Sequence, residues 1–358
     1  MKLIIPKKPL LEGLDLVKDT VSKNGSLPIL KNVKINAEGE GLYLYTTNLN
    51  TGFKSLVREA NIIEPGSALC DALKLLSIVK ELPDAEIILS TEENNHVRVE
   101  CENVSFRLIG LGAEDYPAEI TPSDPNVHSI GEDFFSALLK VRHAAAKDDS
   151  RYNINGIYLN GEIVATDGHR LSLARQSHPL QEALVPLEFV NTILRSRRNG
   201  NQNFTLSRSE STIFFYSEDL IISSRLIDGS FPDYKQVIPA SHERAVTMDR
   251  LRLYHAIKRI LLMSDKSNQI RFEFNLNRLL LKSASPDAGE AREELEANCT
   301  SNSSEGNPFA MGFAGRYLLE VLEVLESDQV TFLMNESDQP LKIEEKDTIH
   351  IVMPVRLS

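Results

Sequence analysis

An aspartate and a histidine stand two residues apart near the centre of the chain, within residues 165–174 (ATDGHRLSLA). Asp167 and His169 could act as a general base and its orienting carboxylate, or as two ligands of a metal ion. However, no third ligand or nucleophile lies close to them in sequence, and Asp167-Gly168 is also a common turn dipeptide. The residues alone therefore leave two interpretations open: a catalytic or metal-binding pair, or a turn whose histidine makes ordinary hydrogen bonds.

The hydrophobic pattern around this pair predicts a tight hairpin that positions the side chains. A short apolar run, residues 163–164, precedes the turn, and residues 170–173 (RLSL) alternate polar with apolar after it. Alternation with a period of two is typical of a strand that buries only one of its faces. We therefore expect a half-buried strand after the turn, with Thr166, His169 and Arg170 near one rim of the hairpin.

Composition and charge limit the classes of function. The chain has 358 residues, 42% of them hydrophobic, and its 51 acidic and 39 basic residues give a net charge of −12. An acidic protein repels nucleic acid at long range, so a nucleic-acid role requires a locally basic surface. The three cysteines form no CxxC pair, which favours a reducing compartment. Because we find no signal peptide and no apolar run of about 20 residues, we expect a soluble, cytoplasmic protein.

A pattern of helices and strands recurs three times. Apolar residues at helical spacing predict six helices, which begin near residues 9, 71, 131, 186, 248 and 315. The second helices of successive rounds start 115 residues apart (71 to 186) and then 129 residues apart (186 to 315). The extra length lies in residues 286–307, whose Ser- and Asn-rich composition predicts a loop.

A repeat of this length is the size of a domain. The order of helices and strands predicts an α+β fold in which an antiparallel sheet carries two helices on one face. We therefore expect three tandem copies of this two-helix domain, with boundaries at residues 1–123, 124–243 and 244–358.

Basic side chains recur every three or four residues on the exposed faces of the predicted helices. Lys140, His143 and Lys147 follow one another on the third helix. Such rows could neutralise phosphates without reading bases, although many helices simply turn a basic row toward solvent. The candidate DNA-facing residues are Lys23, Lys74, Lys140, His143, Lys147, Arg195, Arg198, Arg252 and Arg259.

The segment 349–358 (IHIVMPVRLS) is apolar almost throughout. Leaving such side chains exposed forgoes burial that contributes about 1.5–3 kcal/mol each. We therefore expect that the segment packs on its own domain, or that it lines a groove left apolar for a partner. The two interpretations are compatible.

Several motifs resemble those of the bacterial DNA polymerase III beta subunits, the sliding clamps of replication. The motifs are LPILKNV (27–33), TNLN (47–50), RYNINGIYL (151–159), ATDGHRLSLA (165–174), FPDYKQVIP (231–239), GEAREELE (289–296) and VMPVRL (352–357). They follow the family's order along the whole length. The resemblance implies the DNA clamp fold, in which three similar domains form a crescent. Two crescents then close head to tail into a homodimeric ring around duplex DNA, with the helices lining the hole.

The resemblance also implies two interaction surfaces. In the family, a groove between the second and third domains binds hydrophobic linear motifs of the polymerase III catalytic subunit, the clamp loader, other polymerases and repair proteins. The groove residues would be Ile154, Thr166, Gly168, His169, Arg170, Leu171, Pro232, Val237, Pro340, Ile351, Val352, Met353, Pro354, Val355, Arg356 and Leu357. The dimer interface pairs the first domain of one copy with the third domain of the other. Its residues would be Phe106, Leu108, Leu262 and Met263, and the alternative for all four is that they are ordinary core residues.

The chain departs from the family at positions that would face DNA. Gln236 and Asn24 stand where the family often has basic residues, and Leu187-Glu188 replaces a basic pair at the start of a helix that would line the hole. We therefore expect a less positive hole than is usual in the family, and weak binding of DNA that has not been loaded.

Two other functions stay open beside the clamp, which would work by topology and need no catalytic residue, metal or cofactor. An enzyme acting on nucleic acid would use Asp167 and His169, although the chain has no GxxxxGK[ST], HExxH or GxSxG motif. A monomeric partner-binding scaffold would keep the groove without forming the ring.

Overall fold

The computed structural model describes residues 1–357 except 23–26, 123–126, 148–152, 177–181, 198–202, 276, 287–288 and 302–308. The chain divides into two compact units. One contains Met1–Gly131 with Glu188–Leu226, and the other contains Glu132–Leu187 with Ile227–Ser358. Each unit therefore draws its strands from two successive thirds of the chain.

The elements of the described residues follow one order in each third of the chain. The α-helices are Lys7–Val17 (α1), Ala72–Glu81 (α2), Glu132–Val141 (α3), Leu187–Ser196 (α4), Arg250–Ile260 (α5) and Gly315–Val324 (α6). The strands of the first third are Lys2–Pro6 (β1), Asn32–Glu38 (β2), Gly41–Thr47 (β3), Thr51–Val57 (β4), Asn61–Glu64 (β5), Gly66–Asp71 (β6), Glu86–Thr91 (β7), Val97–Cys101 (β8), Val104–Leu108 (β9) and Gly110–Leu111 (β10). Those of the second are Val127–Ile130 (β11), Gly156–Leu159 (β12), Ile163–Thr166 (β13), Arg170–Ala174 (β14), Ala183–Pro186 (β15), Phe204–Arg208 (β16), Thr212–Tyr216 (β17) and Leu220–Arg225 (β18). Those of the third are Arg244–Asp249 (β19), Gln269–Asn275 (β20), Arg278–Ser285 (β21), Gly289–Glu296 (β22), Asn298–Ser301 (β23), Phe309–Ala314 (β24), Gln329–Met334 (β25), Leu341–Glu345 (β26) and Thr348–Val352 (β27).

The strand pairing repeats three times. The strand that precedes each first helix pairs with the strand that follows the second helix: β1 with β7, β11 with β16 and β19 with β25. In the same way β2 pairs with β6, β12 with β15 and β20 with β24. All these pairs are antiparallel. The predicted α+β class with three tandem copies of one two-helix domain is confirmed.

The sheets continue from one repeat into the next, which the sequence did not predict. In the first unit β4 pairs with β18, and in the second unit β14 pairs with β27, from Arg170 opposite Val352 to Ala174 opposite Thr348. The resulting nine-stranded sheets run β10-β6-β2-β3-β4-β18-β17-β16-β11 and β15-β12-β13-β14-β27-β26-β25-β19-β23. The three copies are thus joined by backbone hydrogen bonds and not merely by linkers.

The six predicted helices are present; five begin at the residue after a strand, and α3 begins one residue after β11 ends. Asp71 and Asp249 end such strands, and each side chain accepts a hydrogen bond from a backbone N–H in the first turn of the helix that follows. Such N-caps satisfy donors that a helix leaves unpaired at its start. The strands before the helices were not predicted from the sequence.

Two local predictions are wrong. β14 is buried on both faces and not on one, because α3 packs on the side opposite the apolar Leu171 and Leu173. Residues 289–296 and 298–301, which were predicted to be loop, form strands β22 and β23. β22 pairs with β21 along its whole length, so its backbone bonds hold a sequence whose side chains are mostly charged and exposed.

Candidate functional site

The hairpin of β13 and β14 ends in a turn that its own side chains close. The Thr166 hydroxyl donates to the Arg170 carbonyl (2.6 Å) and accepts from the Gly168 N–H (3.1 Å). Asp167 Oδ1 accepts from the N–H groups of His169 (2.9 Å) and Arg170 (3.0 Å). Gly168 has φ = 84°, a left-handed conformation that glycine adopts without steric cost. The predicted tight hairpin is confirmed.

The guanidinium of Arg170 is buried, with 5% of the residue exposed. It donates from Nε to Asp167 Oδ2 (3.0 Å), and its terminal nitrogens reach Glu320 of α6 and the carbonyl of His143. The ring of Tyr317 lies 4.4 Å from the guanidinium carbon, close enough for a cation–π contact. Burial acts to raise the pKa of Glu320, but the hydrogen bond and charge of Arg170 lower that pKa overall.

These contacts use both oxygens of the Asp167 carboxylate. One oxygen closes the turn and the other holds Arg170, so the geometry gives Asp167 a structural task. Among the described residues, no group of three or more His, Cys, Asp or Glu side chains is placed to hold a metal ion. The geometry favours the turn over the catalytic or metal-binding pair.

A second polar cluster lies beside Arg170 on the same face of β14. Ser172 Oγ is 2.8 Å from Nδ1 of His350 and 3.2 Å from Nε2 of His143. Burial lowers the pKa of both histidines to about 3; for His143 the second cause is the Arg170 guanidinium, and for His350 it is the neighbouring His143. Both rings are therefore neutral near pH 7. This position argues against His143 as a cation that faces DNA, and it corrects that prediction.

The opposite face of β14 and β27 is apolar and carries the groove. Leu171, Leu173 and Ile351 belong to one buried cluster on this face, and Tyr234 packs over them. The groove above the cluster has a cavity of about 160 Å³. It is lined by Ile154, Thr166, Gly168, Arg170, Leu171, Pro232, Asp233, Tyr234, Val237, Ile351 and Met353. Of these, only Asp233 and Tyr234 are absent from the residues that the sequence resemblance placed in the groove.

The other predicted groove residues do not line this cavity. Val352 is fully buried in the core of the second unit, and this corrects its placement on an open wall. The Met353 N–H donates to the His169 carbonyl (2.9 Å), and the Val355 N–H donates to the Gly312 carbonyl (2.9 Å). The apolar segment after β27 thus packs on its own domain at Val355, while Met353 turns toward the groove.

The remaining predicted groove residues lie outside the cavity lining. Leu357 approaches Gly312, and the carbonyl of Arg356 accepts from Gln269 (2.8 Å). Pro340 and Pro354 are half-buried. His169 is exposed and stacks on Tyr317 with ring centres 6.5 Å apart. Tyr317 was missed because nothing in its own segment of sequence marks it.

Of the nine candidate DNA-facing residues the structure describes seven, and four of these are paired with carboxylates. Ion pairs join Lys140 to Glu326 (2.8 Å), Lys147 to Glu320 (3.9 Å), Arg195 to Asp19 (2.9 Å) and Arg259 to Glu293 (2.9 Å). Lys74 and Arg252 are exposed. Lys23 and Arg198 lie outside the described residues. The pairing reduces the charge that these side chains can offer to phosphates.

The candidate dimer residues divide between surface and interior. Phe106 on β9 is 38% exposed, and Leu262 and Met263, just after α5, are 77% and 37% exposed. Leu108 is only 8% exposed, so in a single chain it belongs to the interior.

No described helix is both long enough and apolar enough to span a bilayer.

Comparisons with known proteins match the three repeats along the whole chain. Models of the N-terminal, central and C-terminal domains of the DNA polymerase III beta subunit match residues 1–120, 130–233 and 235–356. Over the full length of both chains, the identity is 31% to the beta sliding clamp of Pseudomonas aeruginosa and 30% to that of Caulobacter vibrioides. A crystal structure of the DNA polymerase III subunit beta from Pseudomonas aeruginosa is similar with a TM-score of 0.90 at 30% identity, again over all of both chains.

The fold and these matches define the class as a sliding clamp, a processivity factor without catalytic activity. The chain belongs to the DNA polymerase III beta subunit family.

The histidine cluster predicts that the protein loses stability in mild acid. His143 and His350 have pKa values of about 3 in the folded chain and about 6.5 in an unfolded one. The unfolded state therefore binds more protons at pH values between the two. The free energy of unfolding therefore does not depend on the titration of these rings above about pH 6.5. Below that pH it falls as the pH drops, by up to ~1.4 kcal/mol per pH unit for each ring. Urea unfolding of the full chain at pH values from 7.5 to 5 measures this loss.

The variant His143→Gln should flatten this pH dependence, because the unfolded chain then has one titrating ring fewer. His242→Gln is the matched control, since His242 is exposed, and it should leave the pH dependence unchanged. Equal slopes for His143→Gln and the unmodified protein would show that the neutral cluster is not what responds to acid.

Proposed function

We propose that two copies of the chain close head to tail into a ring around duplex DNA, and that the groove binds hydrophobic linear motifs of proteins working there. The proposed partners are the DNA polymerase III catalytic subunit, the clamp loader, other polymerases and repair proteins. The domains in this proposal are residues 1–123, 124–243 and 244–358. These boundaries are supported by the first strands of the three repeats, which begin at Lys2, Val127 and Arg244.

The repeated strand pairing carries the proposal of a ring. Within the chain, the third strand after the first helix of one repeat pairs with the third strand after the second helix of the next: β4 with β18 and β14 with β27. In the third repeat, the third strand after the first helix is β22. In the first repeat, the third strand after the second helix is β9. Both are edge strands of their sheets. A second copy that pairs its β9 with β22 continues the pattern, and making the same contact twice closes the dimer.

The side chains at these two edges suit each other. Phe106 projects from β9, while the turn Leu261–Met263 packs beside β22 and exposes Leu262. Arg107 of β9 pairs with Glu92 (2.8 Å) and keeps a side chain that is 57% exposed, and β22 presents exposed glutamates such as Glu290. Apolar contact with opposite charges at its rim is the usual composition of a specific interface.

The ring predicts a dimer that a single charge disrupts. Leu262→Arg places a cation at the centre of the proposed contact, where it would be buried without a partner. We expect the unmodified protein to have the mass of two 40.1 kDa chains in light scattering, and the variant that of one. Leu251→Arg is the control, because Leu251 is exposed on α5 and lies outside the proposed contact. A monomeric unmodified protein would favour the scaffold that kept the groove without the ring.

The groove has the properties of a site for an extended apolar segment. Its cavity is lined by side chains such as Leu171, Val237 and Met353, and the hydrogen-bonded Thr166–Arg170 turn holds its rim. Apolar side chains of a peptide would enter the cavity, while polar groups at the rim fix the ends of the segment.

We expect a fluorescent peptide with a hydrophobic clamp-binding motif to bind the full chain, and Val237→Glu to weaken binding at least about tenfold, because the peptide would bury an unpaired charge. Val127→Glu is the control, since Val127 is 51% exposed in the first unit. Removing the residues after Val352 should also reduce binding, because Met353 lines the cavity. Equal affinities for both glutamate variants would contradict the assignment of the groove.

The DNA contacts would be sequence-blind and individually weak, and processivity would come from encirclement. The net charge of −12 and the paired cations described above support this mechanism. Short linear duplex should therefore bind weakly, with an affinity that falls steeply with salt, because attraction to phosphates is screened.

The variant Glu293→Gln tests the role of the pairing. It frees Arg259, so the salt dependence of binding to linear duplex should steepen by about one released counterion. Glu336→Gln makes the same change in net charge at an exposed position and should have a smaller effect. Tight binding of linear duplex by the unmodified protein at physiological salt would overturn the proposal of weak contacts.

The cytoplasm is the proposed compartment. Cys70, Cys101 and Cys299 are all free thiols, which suits a reducing environment.

A further inference from the structure

The floor of the groove is a connecting segment, residues 231–238, and not part of the sheet beneath it. Pro232, Asp233, Tyr234 and Val237 of this segment line the cavity. Its only regular element is the short turn Tyr234–Val237. A connecting segment needs side-chain contacts to keep one position, because it lacks the continuous backbone pairing of a strand.

The contact that joins this floor to the sheet is the bond between Tyr234 and Glu162. Tyr234 is a buried residue of the floor, and its hydroxyl donates to Glu162 Oε2 at 2.6 Å. Glu162 stands at the end of the turn from β12 to β13, where its carbonyl accepts from the Asn160 N–H (3.0 Å) and Gly161 has φ = 66°. The carboxylate is thereby held by a tight turn of the rigid sheet.

Aromatic rings reinforce the same point of attachment. Phe231 stacks on Tyr158 of β12 with ring centres 4.7 Å apart and planes 3° apart, and Tyr158 meets Tyr234 edge-on at 6.2 Å. Burial and the bond to Glu162 raise the pKa of Tyr234, so the phenol keeps the proton that it donates. A hydrogen bond to a charged acceptor is stronger than one between neutral groups.

We propose that Glu162 is a positioning residue for the groove: by holding the Tyr234 hydroxyl it fixes the floor in the conformation that receives an apolar peptide. This inference rests on the proposed function of the groove. Glu162 does not line the cavity and acts through Tyr234. Without the Glu162 carboxylate the floor samples other positions. The apparent affinity is then the intrinsic affinity multiplied by the fraction of molecules whose floor is still in the binding conformation.

The chain supplies a matched control at almost the same place. Tyr158 donates to Glu182 Oε1 at 2.6 Å, which is the same chemistry at the same distance. Neither Tyr158 nor Glu182 lines the cavity. A general loss of stability from breaking a tyrosine–carboxylate bond should therefore affect both pairs alike, whereas the loss of the floor should follow only the Glu162 pair.

The test measures peptide affinity by fluorescence anisotropy for the full-length protein and for four variants. Glu162→Ala and Tyr234→Phe should weaken binding about tenfold, the cost of losing a hydrogen bond to a charged group. Glu162→Gln keeps an acceptor oxygen and should bind within about threefold of the unmodified protein. Glu182→Ala removes the acceptor of the Tyr158 hydroxyl and leaves the Tyr158 ring in place, so it should bind as tightly as the unmodified protein. Unchanged affinity in Glu162→Ala, or equal losses in the two alanine variants, would overturn the proposal.

A second measurement does not depend on the peptide. Hydrogen exchange of the backbone amides in residues 234–238 should be faster in Glu162→Ala than in the unmodified protein, and unchanged in Glu182→Ala. If the unmodified protein binds no peptide, the proposed function fails on its own, and hydrogen exchange still decides whether Glu162 holds the floor. Equal exchange rates in all three proteins would overturn the positioning role.

Discussion

The burial of the Arg170 guanidinium is the constraint on which the groove depends. A charge removed from water is tolerated only when it is paired and hydrogen-bonded, and deleting one partner of such a pair typically costs about 3–5 kcal/mol. Asp167, Glu320, the His143 carbonyl and the Tyr317 ring all meet this one group. Their positions are therefore fixed together. The hairpin turn, α6 and the end of α3 become parts of one polar structure on one face of β14, which leaves the other face apolar.

Strand pairing between repeats has a comparable effect at larger scale. Because β14 pairs with β27, the hairpin of the second repeat and the segment after β27 in the third are held in register by backbone hydrogen bonds. Met353 is placed beside the hairpin by its own bond to the His169 carbonyl. The groove is therefore built from residues that are far apart in sequence, and backbone hydrogen bonds between strands set the distances between them. A groove held in this way is preorganised for its ligand.

The elements predicted correctly from the sequence are those whose own residues carry a local signal. The features that were missed depend on tertiary contacts. The Asp167-Gly168 turn and the six helices could be recognised because their residues carry turn chemistry or helical periodicity. Arg170 and Ser172 indicated an exposed face, since alternation cannot reveal that Glu320, His143 and His350 cover them as polar partners. His143 was taken for a cation because its basic neighbours are visible in sequence while its burial is not. β22 was taken for a loop, since its stability lies in backbone pairing. The resemblance to a family placed most of the groove, yet Tyr234 and Tyr317 emerged only from tertiary contacts.

The sharing of strands between repeats has a consequence for folding during synthesis on the ribosome. The sheet of the first unit is incomplete until β18, at Leu220–Arg225, can reach β4 at Thr51–Val57. In the same way, the nine-stranded sheet of the second unit is incomplete until β27, at Thr348–Val352, pairs with β14. Contacts so distant in sequence form slowly, because a long loop must close before they stabilise anything. The nascent chain therefore carries open sheet edges through most of its synthesis, and neither unit can finish folding as an uninterrupted stretch of chain.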